Sequence, residues 1–346
     1  MDLMDISFPH LGIYLRNVPK TLSVFGFDVA MYGIVIATGM LLGLTMAAHI
    51  AKKTGHDPDT IWDLSVWLLT LSVLGARIYY VIFMWDMYKN DPIQIFNIRG
   101  GGLAIYGGII AGVLTVVGFC RIKKVNPFWV LDCCAYGLLI GQILGRWGNF
   151  FNREVFGEYT DSLFAMRIPA AMVRESDISE KIAAHMADGC IQVHPTFLYE
   201  GFWNLALLIF LLVFLKHKKF DGQIILMYFA GYGIGRALIE YIRTDQLYIP
   251  GTTVPVNLVL GLGAFCLSGA VILWRLSRIR EKERNNIQYL FVVLLEQHSQ
   301  IGVQQETVQA ESITKRKILH IAEVLLIRFH SQVIIRVNNR ITMRYL

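Results

Sequence analysis

The chain has 346 residues, 55% of them hydrophobic and only 17% charged, with a mean hydropathy of +0.48. Soluble globular domains carry about 25% charged residues, so an exterior facing water everywhere is excluded and lipid must cover much of it. The formal charge of +6 comes from short basic clusters beside apolar runs, which is the chemistry of positive-inside loops and excludes a nucleic-acid-binding stripe.

Seven apolar segments predict membrane-crossing helices near Val29–His49, Ile61–Met84, Gly102–Cys120, Pro127–Arg146, Thr196–Leu215, Gly222–Tyr241 and Val256–Trp274. Each has about 20 residues, enough at about 1.5 Å of rise to span a hydrocarbon core of about 30 Å. The expected fold class is an all-α polytopic membrane protein with about seven transmembrane helices. Ahead of the first span, Leu22-Ser23-Val24-Phe25-Gly26-Phe27 is short and largely apolar and suits the outer interface. The first span does not read as a cleavable signal peptide: its run is too long, it starts at Val29, and Lys52-Lys53 follow as a stop.

Basic clusters at Lys52-Lys53, Arg121 to Lys124, Lys216 to Lys219 and Arg275 to Arg284 follow odd-numbered spans. The loops after even-numbered spans mix signs, with Asp86, Lys89, Arg153, Glu154, Glu158 and Arg174. The positive-inside rule then places the N-terminus outside and the C-terminus in the cytoplasm. The outer loop from about 150 to 195 is the long connection, and such length points to function. Residues 1–284 are read as a transmembrane catalytic domain. Residues 285–346 are an extension without an assigned role, amphipathic or disordered, with mixed apolar and basic sequence over Lys315–Arg340. The five cysteines are odd in number and show no metal-ligand spacing, so no metal site is expected.

Glycines recur at Gly107, Gly108 and Gly112 on the third span, Gly137, Gly141 and Gly145 on the fourth, and Gly231, Gly233 and Gly235 on the sixth. Small residues at such spacing let backbones approach closely, and the three stripes predict that these spans meet. Polar residues inside the spans carry more chemistry. Tyr232, Arg236, Glu240 and Arg243 fall on one helical stripe of the sixth span. Burying an arginine in the membrane costs about 2.5–3.5 kcal/mol on insertion scales. The fourth span ends Gly145-Arg146-Trp147-Gly148-Asn149-Phe150-Phe151-Asn152-Arg153-Glu154 with Gly157 just beyond, and His194-Pro195-Thr196-Phe197-Leu198-Tyr199-Glu200 returns His, Tyr and Glu to that face. Arg77 lies in the second span and Tyr32 near the outer part of the first. Guanidiniums converging at the outer leaflet suit a phosphate held within the membrane, because guanidinium binds phosphate through paired charge-assisted hydrogen bonds and stays protonated.

These motifs, together with Gly101-Gly102-Leu103-Ala104-Ile105-Tyr106-Gly107-Gly108, resemble the bacterial phosphatidylglycerol–prolipoprotein diacylglyceryl transferase family, in that family's order and over about Ser7 to Arg284. The resemblance implies an enzyme of the bacterial plasma membrane, active toward the outer leaflet. It implies transfer of a diacylglyceryl group from phosphatidylglycerol to the lipobox cysteine of a preprolipoprotein signal peptide, with glycerol phosphate released and no cofactor needed. On this reading Arg146 and Arg236 stabilise the leaving phosphate, Asn149 and Glu154 fix the first, Glu240 fixes the second, and Arg243 holds the headgroup. Gly157, His194 and Tyr32 complete the substrate-binding set. Many family members have His where this chain has Tyr106, and a phenol near pKa 10 is a poor base. Tyr106 is therefore expected to orient by hydrogen bonding, and deprotonation of the thiol falls to Tyr232, to His194 or to acidification by the arginines. The reading from another class is an anion channel or transporter with an arginine-lined outer site, which requires a polar path onward to the inner face.

Overall fold

Asn126 and Pro127 start the helix that organises the rest. The Asn126 side chain accepts from the Phe128 amide at 3.0 Å, Pro127 fills the first helical position, and Arg153 ends the helix in the left-handed region at φ 57°. In the computed structural model, which describes residues 4–97 and 101–304 and His320, the order of elements is as follows. The strands β1 (Ile6–Phe8), β2 (Ile13–Leu15), β3 (Thr21–Val24) and β4 (Phe27–Ala30) precede α1 (Met31–Lys53) and α2 (Asp59–Phe83). A short α3 (Trp85–Tyr88) leads to α4 (Ile105–Lys123) and α5 (Pro127–Asn152). The long loop after α5 holds β5 (Met166–Pro169), α6 (Glu180–Ala184) and β6 (Cys190–Val193), followed by α7 (Thr196–Phe214), α8 (Gln223–Glu240) and α9 (Val256–Gln304).

Among the described residues six helices are long and apolar enough to cross a membrane, close to the count expected. The one left out is α8, whose Gln223, Arg236 and Glu240 dilute its apolar sequence. Backbone contacts reach α2 through α4 and α5 through α1, α7 and α8. The chain divides into two compact units, Met1–Leu276 and Ser277–Leu346, and every site described below belongs to the first. The amphipathic stretch expected at 315–340 lies outside the described residues, apart from His320.

The glycine stripes do not join the third, fourth and sixth spans as expected. A Cβ on Gly137 of α5 would sit 2.7 Å from the carbonyl oxygen of Gly43 on α1, and one on Gly43 equally near that of Gly137. Gly107 of α4 instead abuts Gly75 of α2, and Gly233 of α8 abuts Gly261 of α9. A stripe of small residues permits close approach by any backbone, but the partner must be small at the same height. The matching glycines are on α1, α2 and α9.

The second departure from the expected fold is a sheet. β1 pairs with β2 and with β5, and β5 with β6, giving the antiparallel order β2-β1-β5-β6. Ile6, Phe8, Phe156, Met166, Ile168, Ile182, Ile191 and Val193 form a core of their own beneath it. The long loop between α5 and α7 is thus a folded cap rather than a linker. At the opposite end of α5, Asp132 accepts from the Gly222 and Ile225 amides at 2.8 and 2.9 Å and pairs with Lys218 at 3.0 Å, capping α8 from a neighbouring helix.

Candidate active site

Glu200 occupies the first turns of α7, directly after the His194-Pro195 turn that leads in from β6. Its carboxylate is 4% exposed and takes three guanidiniums: Arg146 Nε at 3.0 Å, Arg243 Nη1 at 3.0 Å and Arg236 Nη1 at 3.6 Å. Each arrives from a different element, Arg146 from the last turns of α5, Arg236 from α8 and Arg243 from just past its end. Arg236 is held further by Glu240 one turn away, Nη2 to Oε2 2.7 Å, and Asn257 donates to the other Glu240 oxygen at 3.1 Å. Asp245 grips Arg243 bidentately at 2.6 and 2.9 Å. Three cations, Arg243 buried and the other two mostly so, therefore face three carboxylates.

That balance leaves donors to spare. Among the described residues Arg146 Nε and Arg236 Nη1 are buried without a hydrogen-bond acceptor. Arg146 Nε is near enough to Glu200 for an ion pair but off the axis a hydrogen bond needs. An unsatisfied buried donor costs about 1–3 kcal/mol, so both groups favour an incoming oxyanion.

Below the cluster lies an apolar cavity of about 410 Å³ between α1, α2 and α5. Arg146, Asn149 and Tyr32 line one end, and Ile36, Leu44 and Leu68 are among its apolar walls. Tyr32 is fixed there because its ring lies on Gly148, where a Cβ would come within 2.6 Å. Along α5 the lining runs from Asn149 to Cys134, about 22 Å of helix rise, which is more than one leaflet of a core of about 30 Å.

The other sequence-selected residues divide. Tyr232 stacks on Tyr228 at 5.8 Å, packed against the helix core, one turn from Arg236. Tyr106 stands 47% exposed at the start of α4. Glu154 does not fix Arg146; it accepts from Asn152 at 3.2 Å and lies 3.7 Å from Arg174 of the cap. Gly157 is a crossing point, its amide donating to the His194 carbonyl and its Cα facing the Ile242 carbonyl and the His194 Cβ, so the cap is tied to the end of α8 where Gly157 leaves no room for a side chain. The His194 ring turns to the Tyr199 hydroxyl at 3.2 Å, and burial, then the charge of Lys181, lower its pKa. Arg77 does not join the arginine cluster. It donates to five carbonyls, those of Gln94, Ile95, Asn97, Gly101 and Gly102, at 2.6 to 3.1 Å, and so holds the loop that leads to Tyr106.

The sequence pattern described as Prolipoprotein diacylglyceryl transferase matches residues 19–276. The chain belongs to the prolipoprotein diacylglyceryl transferase family. Relatives named phosphatidylglycerol–prolipoprotein diacylglyceryl transferase agree over most of their length. The protein of Finegoldia magna is 44% identical over 66% of this chain and 84% of its own. That of Clostridioides difficile is 37% identical over 77% and 96%, and that of Lysinibacillus sphaericus 36% over 80% and 96%. This transferase family membership fits the apolar helices and the cavity that ends on the partly buried Arg146.

For a transferase site, sequence reading passed over Glu200. It was visible as the last residue of the His194 to Glu200 motif, an acid in the opening turns of an apolar helix, and such acids are functional until shown otherwise. Asp245 and Asn257 gave no comparable signal, because one lies in a loop and the other starts α9 with nothing in its neighbours to mark it.

Proposed function

We propose that this chain transfers the diacylglyceryl group of phosphatidylglycerol to the lipobox cysteine thiol of a preprolipoprotein, working toward the outer leaflet of a bacterial plasma membrane. The observation that carries the reading is the pair of acceptor-free donors, Arg146 Nε at the end of an apolar cavity and Arg236 Nη1 joined to it through Glu200. Acyl chain fits the cavity and phosphate fits the donors.

In the reaction the thiol loses its proton, the sulfur attacks the glyceryl carbon, and the carbon–oxygen bond breaks with its electron pair left on the phosphate oxygen. Arg146 and Arg236 act where that charge grows, which is where preorganised donors accelerate most. Glu200 and Glu240 hold both guanidiniums in place, and Arg243 with Asp245 closes the site on the cap side. Asn149 lines the cavity mouth beside Arg146 with Tyr32 opposite. Thiolate formation next to these cations needs less help from a base. Tyr232 lies one turn from Arg236 on α8, while Tyr106 and His194 act in orienting the acceptor peptide. Residues 285–346 take no part in the chemistry on this reading.

The experiment is direct: purified full-length protein, labelled phosphatidylglycerol and a lipobox peptide, with product read by mass spectrometry. Thioether and glycerol phosphate should appear in equal amounts. Unmodified peptide under conditions where the protein stays monodisperse would overturn the proposal. The channel reading has no observation in its favour, since the space inward of Arg146 is walled by Ile36, Met40, Leu44 and Leu68.

A further inference from the structure

The last turn of α5 leads from the apolar cavity to a second one of quite different chemistry. Asn149 lines the first; Asn152, Arg153 and Glu154 line the second, with Lys20, Met172 and Arg174 across from them. Its volume is also about 410 Å³. Asn152 lies three positions after Asn149, about 4.5 Å of rise, so the two spaces follow one another along a single helix.

The polar cavity carries a surplus of positive charge. Arg153 is 2% exposed and gives its terminal nitrogens to the carbonyls of Phe151, Met4 and Val18, none of them acidic. Lys20 Nζ donates to the Met172 carbonyl at 2.9 Å, and among the described residues no carboxylate lies within 4.0 Å of it. Glu154 is the sole carboxylate in the lining, and it sits 3.7 Å from the largely exposed Arg174. Three cations thus face one anion, whereas at the Glu200 cluster cations and carboxylates match three to three. Burial, followed by the charge of Arg153, pulls the Lys20 ammonium below its ordinary pKa, a penalty that a bound anion relieves.

Charge accounting in the reaction gives that surplus a use. Phosphatidylglycerol is a phosphodiester with one negative charge. When the glyceryl carbon–oxygen bond breaks, the leaving group becomes a phosphomonoester, which carries about −1.5 to −2 at neutral pH. The matched cluster has no unpaired cation for the additional charge. In the cavity one turn further along α5, Lys20 and Arg153 have only carbonyl partners among the described residues, and Arg174 meets Glu154 only at 3.7 Å. We propose that this polar cavity is a phosphomonoester subsite that receives glycerol phosphate after bond cleavage, with Lys20 and Arg174 as its cationic contacts. The inference rests on the transferase reading above, but the subsite is defined by binding and can be measured without turnover.

The test uses the full chain in phosphatidylcholine nanodiscs, with glycerol phosphate, inorganic phosphate and glycerol each titrated by calorimetry. Glycerol phosphate should bind, inorganic phosphate more weakly, and glycerol not at all. In the Lys20→Gln, Arg174→Gln double variant the affinity for glycerol phosphate should fall at least tenfold, and product inhibition of transfer should weaken by the same factor. Arg174→Gln alone, a change at an exposed side chain that threatens folding little, should give a loss of about threefold. Unchanged glycerol phosphate affinity in both folded variants overturns the proposal. So does a raised KM for phosphatidylglycerol with product inhibition intact, which would assign the cavity to the headgroup of the intact lipid. A chain that binds glycerol phosphate through these residues yet forms no thioether supports the subsite and removes the transferase reading instead.

Discussion

Replacing Glu200 by Gln removes one charge and almost no volume, so it isolates the electrostatic part of the three-arginine contact. Two guanidiniums lie 3.0 Å from the carboxylate and the third 3.6 Å. Hydrogen bonds to a charged group contribute about 1.5–3 kcal/mol against about 0.5–1.5 for neutral ones. Losing that difference at the Arg243 hydrogen bond, together with the ion-pair attraction of Arg146, gives about 2 kcal/mol, while Asp245 continues to hold Arg243. At 1.36 kcal/mol per factor of ten, kcat should fall roughly thirtyfold. KM for phosphatidylglycerol should stay level or drop, since the site gains a net positive charge. Initial rates of thioether formation over a range of lipid concentrations in mixed micelles separate the two parameters. A Glu200→Gln protein with unchanged kcat and a raised KM would refute the idea that Glu200 positions the arginines.

Four further outcomes are expected. Arg146→Lys should lose at least tenfold in transfer rate despite keeping the charge, because an ammonium does not reproduce the guanidinium fork; near-normal rates would make Arg146 a point charge. With native Cys190 replaced, a cysteine at Glu175 in the cap should react with a membrane-impermeant thiol reagent in intact cells and one at Lys53 should not, and the reverse pattern would invert the topology. Asp132→Asn should lower the melting temperature by several degrees in detergent, through loss of a charged cap on α8, while specific activity of the folded fraction holds. His194 has a folded-state pKa below its unfolded value near 6.5, so the unfolded chain binds the proton more readily. Stability should be complete above about pH 6.5 and decline as pH falls toward the lowered value. His194→Asn should flatten that decline in thermal melts taken from pH 7.5 to 5, and an identical slope in the variant would contradict the assignment.

What the sequence revealed and what it hid follow the range of each interaction. Arg236 and Glu240 are one helical turn apart, so their pairing was readable from spacing alone. The Arg146 partner was not: Glu154 is near in sequence, yet the carboxylate that reaches Arg146 belongs to Glu200, more than fifty residues on. Arg77 looked like a fourth member of the cluster because depth in a span was the sole clue, and depth does not say which way a side chain turns. The strands of the cap were overlooked because Ile6–Phe8 and Cys190–Val193 are three and four residues long. Runs that short show no period that distinguishes them from a loop. The chemistry of the spans, by contrast, survived translation into structure because continuous apolar sequence of that length has few other ways to fold.

The pairing of β1 with β5 also sets an order of events during synthesis. Ser7 lies opposite Arg167, so the strand made early has to wait while the ribosome adds the helices α1 to α5. At about 5–20 residues per second that delay is on the order of ten seconds or more. Throughout it, β1 has only its hairpin partner β2, and its β5-facing edge stays open to proteases and to neighbouring chains. The cap sheet therefore closes only after α1 to α5 have been made, and a lesion in β5 should be felt first as poor yield rather than as slow catalysis.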